Sequence, residues 1–116
     1  MKDTILALIS SRQHVSFTEL ARAIDGFKGD LMMLLGHDRN IVLWPWCSNA
    51  GIDALVELLS AKRIHLHPAS DFTYMIDGDY PALPRVNRPP KEGYKEPHWF
   101  PVCFCDYPHN PTPKKK

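Results

Sequence analysis

Apolar positions along the first 76 residues repeat with two periods, and the change between them divides the chain into predicted helices and strands. Ile5, Leu6, Leu8 and Ile9 form one stripe of a first helix that Asp3 can cap and that runs to about Ser11. Arg12 suits the negative pole at its end, and Gln13-His14 is the turn that follows. In the next stretch, VSFTELARAIDGFKGDLMMLL (residues 15–35), Phe17, Leu20, Ala21 and Ile24 share one helical face. Ser16 and Glu19 have the spacing of a capping box, and Asp25-Gly26 stops the helix with a sharp turn. A second apolar helix is expected from Gly29-Asp30, carrying Leu31, Leu34 and Leu35 inward, with at least one of Met32 and Met33 in the core.

Beyond the polar turn at Gly36–Asn40, the β-branched and aromatic run Ile41–Trp44 predicts a strand that Pro45 ends or confines to an edge. Ser48 or Asn49 then caps a helix from Gly51 to Arg63, with Ile52, Leu55, Val56 and Leu59 on one face. Ile64–His67 and Phe72–Ile76 each alternate with period two around the turn Pro68–Asp71. They predict a hairpin, beside which Ile41–Trp44 completes a small antiparallel sheet.

The fold class expected is α+β: a winged helix-turn-helix-like domain over residues 1–78, with three to four helices. An extended Pro-rich strap over 79–106 packs on it, and a basic tail over 107–116 is expected to be disordered. Two registers of the winged arrangement stay open, because Val15-Ser16-Phe17 can instead be the small strand that precedes the helix pair.

Composition narrows the functions. The net charge of +1 is small for a nucleic-acid binder, but it is unevenly shared. Residues 1–61 hold five Lys/Arg against seven Asp/Glu, whereas residues 62–116 hold nine against six, so a polyanion meets the C-terminal half first. No apolar run has the length of a membrane span, and the opening MKDTILALISSRQH lacks a signal-peptide core. The three cysteines are therefore expected to be reduced, in a cytoplasmic protein.

Candidate chemistry is sparse. Nucleic acid would be met by Lys28, Arg39 and Asn40 on and after the second helix, and by Lys62, Arg63, His65 and His67 along the hairpin. Trp44, Trp46 and Trp99 are the aromatic anchors a protein interface would use. His98, Cys103, Cys105 and His109 carry soft metal donors, but the C-x-C pair departs from the usual C-x₂₋₄-C knuckle. Buried small residues on a strand are the plainer reading, and no cofactor or bound metal is expected. His65 and His67, two apart, could hold a metal or a phosphate, or form the solvent side of the hairpin. With no nucleophile–base pair, phosphate loop or H-E-x-x-H, an enzyme is not expected.

The helix pair at 16–35, the capped helix at 51–63 and the hairpin at 64–76 resemble the small winged-helix proteins of prophages and other bacterial mobile elements. That resemblance implies one of two roles, of which the first is the one expected and the second the alternative. One is a DNA-binding regulator or excision factor on duplex DNA, in dimeric form. The other is a protein-binding module or inhibitor of a host protein complex, anti-CRISPR proteins being an example.

Overall fold

Helix α1 (Lys2–Arg12) buries Ile5 and Ile9, one turn apart on its inner face. Met1 rather than Asp3 occupies its N-cap and makes no side-chain bond, while Asp3 lies in the first turn, where a carboxylate suits the helix dipole. The computed structural model describes residues 1–35, 40–78, 81–86 and 94–106. Strand β1 (Val15–Ser16) follows and leads directly into α2 (Phe17–Ala23). The expected capping box is present: the Ser16 hydroxyl accepts from the Glu19 N–H, and the Glu19 carboxylate accepts from the Ser16 N–H.

The expected second helix is instead a strand, β2 (Lys28–Leu34), antiparallel to β3 (Ile41–Cys47). So short a segment gains little from helical hydrogen bonds alone, and tertiary pairing decides its state. Leu31 and Leu34, expected inward, are exposed, and of the two methionines Met33 is buried. Nor does β3 end at Pro45. Between the pairs Met33↔Trp44 and Leu31↔Cys47, β3 has two residues, Pro45 and Trp46, where β2 has one, Met32. Bulges of this kind tolerate a residue with no N–H to donate.

Ser48 caps α3 (Asn49–Ser60), its hydroxyl accepting from the Gly51 N–H. The helix begins two residues before the expected Gly51, ends three residues before the expected Arg63 and is rotated from the expected stripe. Ala54, Leu55 and Leu58 are buried, Ile52 and Leu59 are half-buried, and Val56 faces outward.

Residues 64–76 do not form a hairpin. Strand β4 (His65–Pro68) is followed by α4 (Asp71–Asp77), started by the Ser70 cap and stopped by Gly78 in the left-handed conformation at φ 98°. In place of Phe72–Ile76, β4 pairs with β6 (Val102–Cys105), which lies between β1 and β4. Strand β5 (His98–Trp99) runs parallel to β3, with residues Ile41↔His98 and Val42↔Trp99 in register. Among the described residues the chain is thus α+β, with four helices and two three-stranded sheets ordered β1-β6-β4 and β2-β3-β5.

An aromatic cluster fills the core. Phe17 stacks on Trp44 with centroids 5.5 Å apart and meets Phe104 edge-on at 5.2 Å, while Tyr74 lies 5.1 Å from both Trp44 and Trp99. Tyr74 is the inward side chain of α4, and its hydroxyl donates to the Val102 carbonyl and accepts from the Phe17 N–H. Tyr74→Phe keeps the ring but leaves these two buried backbone groups without that partner. It is expected to cost about 1–3 kcal/mol in urea denaturation; an unchanged midpoint would show that the hydroxyl does not fasten α4.

Candidate interaction surface

Strand β2 lies at the edge of its sheet and, among the described strands, pairs only with β3. An edge strand offers a row of backbone donors and acceptors to any further strand, and soluble proteins usually blunt such edges with charge. Here Lys28 and Asp30 are charged and exposed, but the continuing strand is apolar. Leu31, Met32 and Leu34 are 46%, 47% and 45% exposed.

The bulge in β3 brings a fourth apolar group to this place. It turns Trp46 outward, 42% exposed, edge-on against the buried Trp44 at 5.2 Å and 84°. Trp44 is fixed by the core behind it, so the indole of Trp46 stands on a rigid base. Ala21, Lys28, Gly29, Asp30, Trp44 and Trp46 line an open groove of about 490 Å³. Its walls combine an indole, a strand backbone bare of side chain at Gly29, one ammonium and one carboxylate. Nearby Cys47 is packing material: burial pushes its thiol up to about 12, so it remains neutral and unreactive.

A second apolar patch belongs to α4. With Tyr74 turned inward, Phe72, Met75 and Ile76 are left on the surface, Ile76 81% exposed.

The groups expected to meet nucleic acid are distributed rather than gathered. Lys28 is exposed on β2 at the end of the sheet where Ser48 starts α3, since the Ser48 N–H donates to the Phe27 carbonyl. Lys62 and Arg63 are exposed beyond the opposite end of α3, whose twelve residues span about 18 Å. His65 is half-buried and His67 buried, so His67 is not the solvent-facing group expected on a hairpin. Asn40 donates to the Tyr94 carbonyl at 2.7 Å, and Arg39 lies outside the described residues. Of the three tryptophans, Trp44 and Trp99 are enclosed in the core.

His98 does not approach the cysteines. Its ring stacks on Tyr94 at 3.7 Å, and its Nδ1 donates to the Glu96 carbonyl. His109 lies outside the described residues. The imidazole beside the thiols is His14, whose Nδ1 is 3.7 Å from Cys103 Sγ and 3.5 Å from Cys105 Sγ. Among the described residues no group of three or more His, Cys, Asp or Glu could hold a metal ion, and no helix is long and apolar enough to cross a membrane.

Sequence reasoning missed Leu31 and Leu34 as surface groups because it placed them on the inner face of a helix, left open which of Met32 and Met33 faces outward, and missed His14 because it stands alone in a turn. No protein-family model, no curated protein and no solved structure matches the chain.

Proposed function

We propose that the protein is a non-enzymatic protein-binding module that takes an extended segment of a partner protein against the edge of β2. The observation that carries this reading is the apolar edge itself: Leu31, Met32 and Leu34 are exposed on the edge strand β2, and Trp46 is exposed on β3, the strand beside it. The occupant best suited to a strand edge is another strand, because main-chain hydrogen bonds supply affinity and side-chain pockets supply specificity. An apolar or aromatic side chain of that segment fits the Trp46 groove, with Lys28 and Asp30 meeting opposite charges on either side of it. This is the protein-binding role rather than the regulator role on duplex DNA, and it does not rest on the winged-helix resemblance, since the helix pair at 16–35 and the hairpin at 64–76 are not what these segments form. It uses no recognition helix, and the segment assigned to one, Lys28–Leu34, is a strand.

The test immobilises the chain and a Leu31→Lys/Trp46→Lys variant in a bacterial host lysate, with and without nuclease, alongside duplex-DNA titrations at two salt concentrations. A partner that survives nuclease and is lost at least tenfold with the variant is expected, with no steep salt-dependent affinity for DNA. Nuclease-sensitive capture, or DNA binding that falls steeply with salt and with Lys62→Ala/Arg63→Ala, overturns the reading. Dimerisation of the pure chain that disappears in the variant would replace the foreign segment by a second copy.

A further inference from the structure

Two free thiols of β6 share one face of the sheet β1-β6-β4. Cys103 and Cys105 are two residues apart on the strand, the spacing that returns side chains to the same side. Their ladder partners His67 and His65 share that side, opposite the face on which Phe104 and Val15 enter the core. Cys105 is fully buried and Cys103 is 5% exposed.

An exposed imidazole lies against both sulfurs. The His14 Nδ1 is 3.7 Å from Cys103 Sγ and 3.5 Å from Cys105 Sγ, and the His14 N–H donates to Cys105 Sγ. Its turn is held there under constraint. Gln13 and His14 have positive φ, 55° and 51°, which non-glycine residues adopt at a cost and keep only where surroundings enforce it. The Gln13 side chain donates to the Asp106 carboxylate and accepts from the Asp106 N–H, so the end of β6 fastens the turn.

We propose that Cys103 and Cys105 are a redox-active dithiol that closes to an intrastrand disulfide on meeting a small disulfide of the glutathione class, with His14 as proton acceptor, a modification site separate from the β2 edge. Cys103, the thiol with residual exposure, gives its proton to the His14 Nδ1 while its sulfur attacks one sulfur of the oxidant. That bond breaks, a mixed disulfide forms and one small thiolate leaves. Cys105 then attacks the Cys103 sulfur, the Cys103–Cys105 bond forms and the second small thiolate leaves. The two protons of the protein thiols end on the two released thiols. The protein has lost two electrons and the small disulfide has gained them.

The arrangement accounts for both steps. Burial, together with the charges of Cys105 and Glu19, pushes the Cys103 thiol up to about 11, and such a thiol alone is a poor nucleophile at neutral pH. An adjacent base that takes the proton as the sulfur attacks removes the need for free thiolate to accumulate. Closure is then favoured because the second thiol already lies on the same face, around the same nitrogen. Two strand rises place the Cα atoms about 6.5 Å apart, near the upper end of the roughly 4.4–6.8 Å that disulfides span. The bond therefore requires only a pucker of β6 at Phe104.

The experiment holds the full reduced chain in oxidised glutathione at neutral pH, quenches with acid and maps tryptic peptides by mass. Residues 96–114 carry both β6 thiols in one peptide, and residues 40–62 carry Cys47 in another. The 96–114 peptide is expected to pass through a glutathione adduct and become two hydrogens lighter, reversibly with dithiothreitol, while Cys47 stays free. His14→Asn suits a left-handed backbone and is expected to slow closure about tenfold or more, the difference narrowing as pH rises toward the thiol range. The wild-type measurement stands whether or not a variant folds. Two free thiols in 96–114, an adduct that never closes, or modification of Cys47 at the same rate overturns the dithiol. Closure in His14→Asn at the wild-type rate or faster at neutral pH overturns His14 as the proton acceptor.

Discussion

Trp44→Ala is expected to remove about 3–5 kcal/mol of stability, the usual cost of truncating a large buried aromatic. Total stabilities of small domains are about 5–15 kcal/mol, so the variant is expected to be largely unfolded in moderate urea. The effect is large because Trp44 joins several elements. It stacks on Phe17 of α2, touches Tyr74 of α4 and lies 6.5 Å from Trp99 of β5, while itself belonging to β3. Trp46→Ala is the matched control: the same residue type two positions on, 42% exposed, removes an indole that meets the buried Trp44 edge-on. Its expected cost is less than half as large, and its expected consequence is lost partner binding. Equal losses of stability in the two variants would mean that the outward turn of Trp46 at the bulge is wrong.

The parts of this fold that can be read from sequence are those whose cause is local. Ser16 with Glu19, and Ser48 three residues before Gly51, mark helix starts by hydrogen bonds that span three residues, and α2 and α3 begin where these signals place them. Leu31-Met32-Met33-Leu34-Leu35 has no clear period, and what makes it a strand is its pairing with β3. Phe72–Ile76 is a different failure. Its alternation suggested a strand, yet Ser70 and Gly78 were local signs of a short helix, with Tyr74 its inward residue.

The same division applies to the candidate sites. Tryptophans announce that an aromatic anchor is available, but only the extra residue at Pro45-Trp46 separates the exposed indole from the buried one. The C-x-C and H-x-H pairs are visible as spacings. That they lie opposite each other depends on β6 inserting between β1 and β4, which pairs His67 with Cys103 and His65 with Cys105 across a separation in the chain that no local pattern encodes. His14 enters only through the backbone of its turn.

Gly29→Ala is expected to be the most damaging single-methyl addition on the β2 surface, costing about 3 kcal/mol or more. A Cβ at this position would run into the Cys47 carbonyl oxygen and lie 2.6 Å from Ser48 Cα and 2.7 Å from the Cys47 carbonyl carbon. Overpacking of side chains typically costs about 1–3 kcal/mol because rotamers can shift, but these neighbours are backbone atoms. They are also held from two directions. The Ser48 N–H donates to the Phe27 carbonyl at 2.7 Å, and the Ser48 hydroxyl both accepts from the Gly51 N–H and donates to the Gly26 carbonyl. Relief therefore requires either that β2 part from β3 or that the start of α3 give way. Hydrogen exchange can tell which, through faster exchange at the Ser48 and Gly51 amides. Asp30→Ala, one residue along and exposed, is expected to shift stability by no more than about 0.5 kcal/mol. If Gly29→Ala is as mild as Asp30→Ala, β2 does not approach Cys47 as closely as the fold requires, and the floor of the Trp46 groove is not the one described.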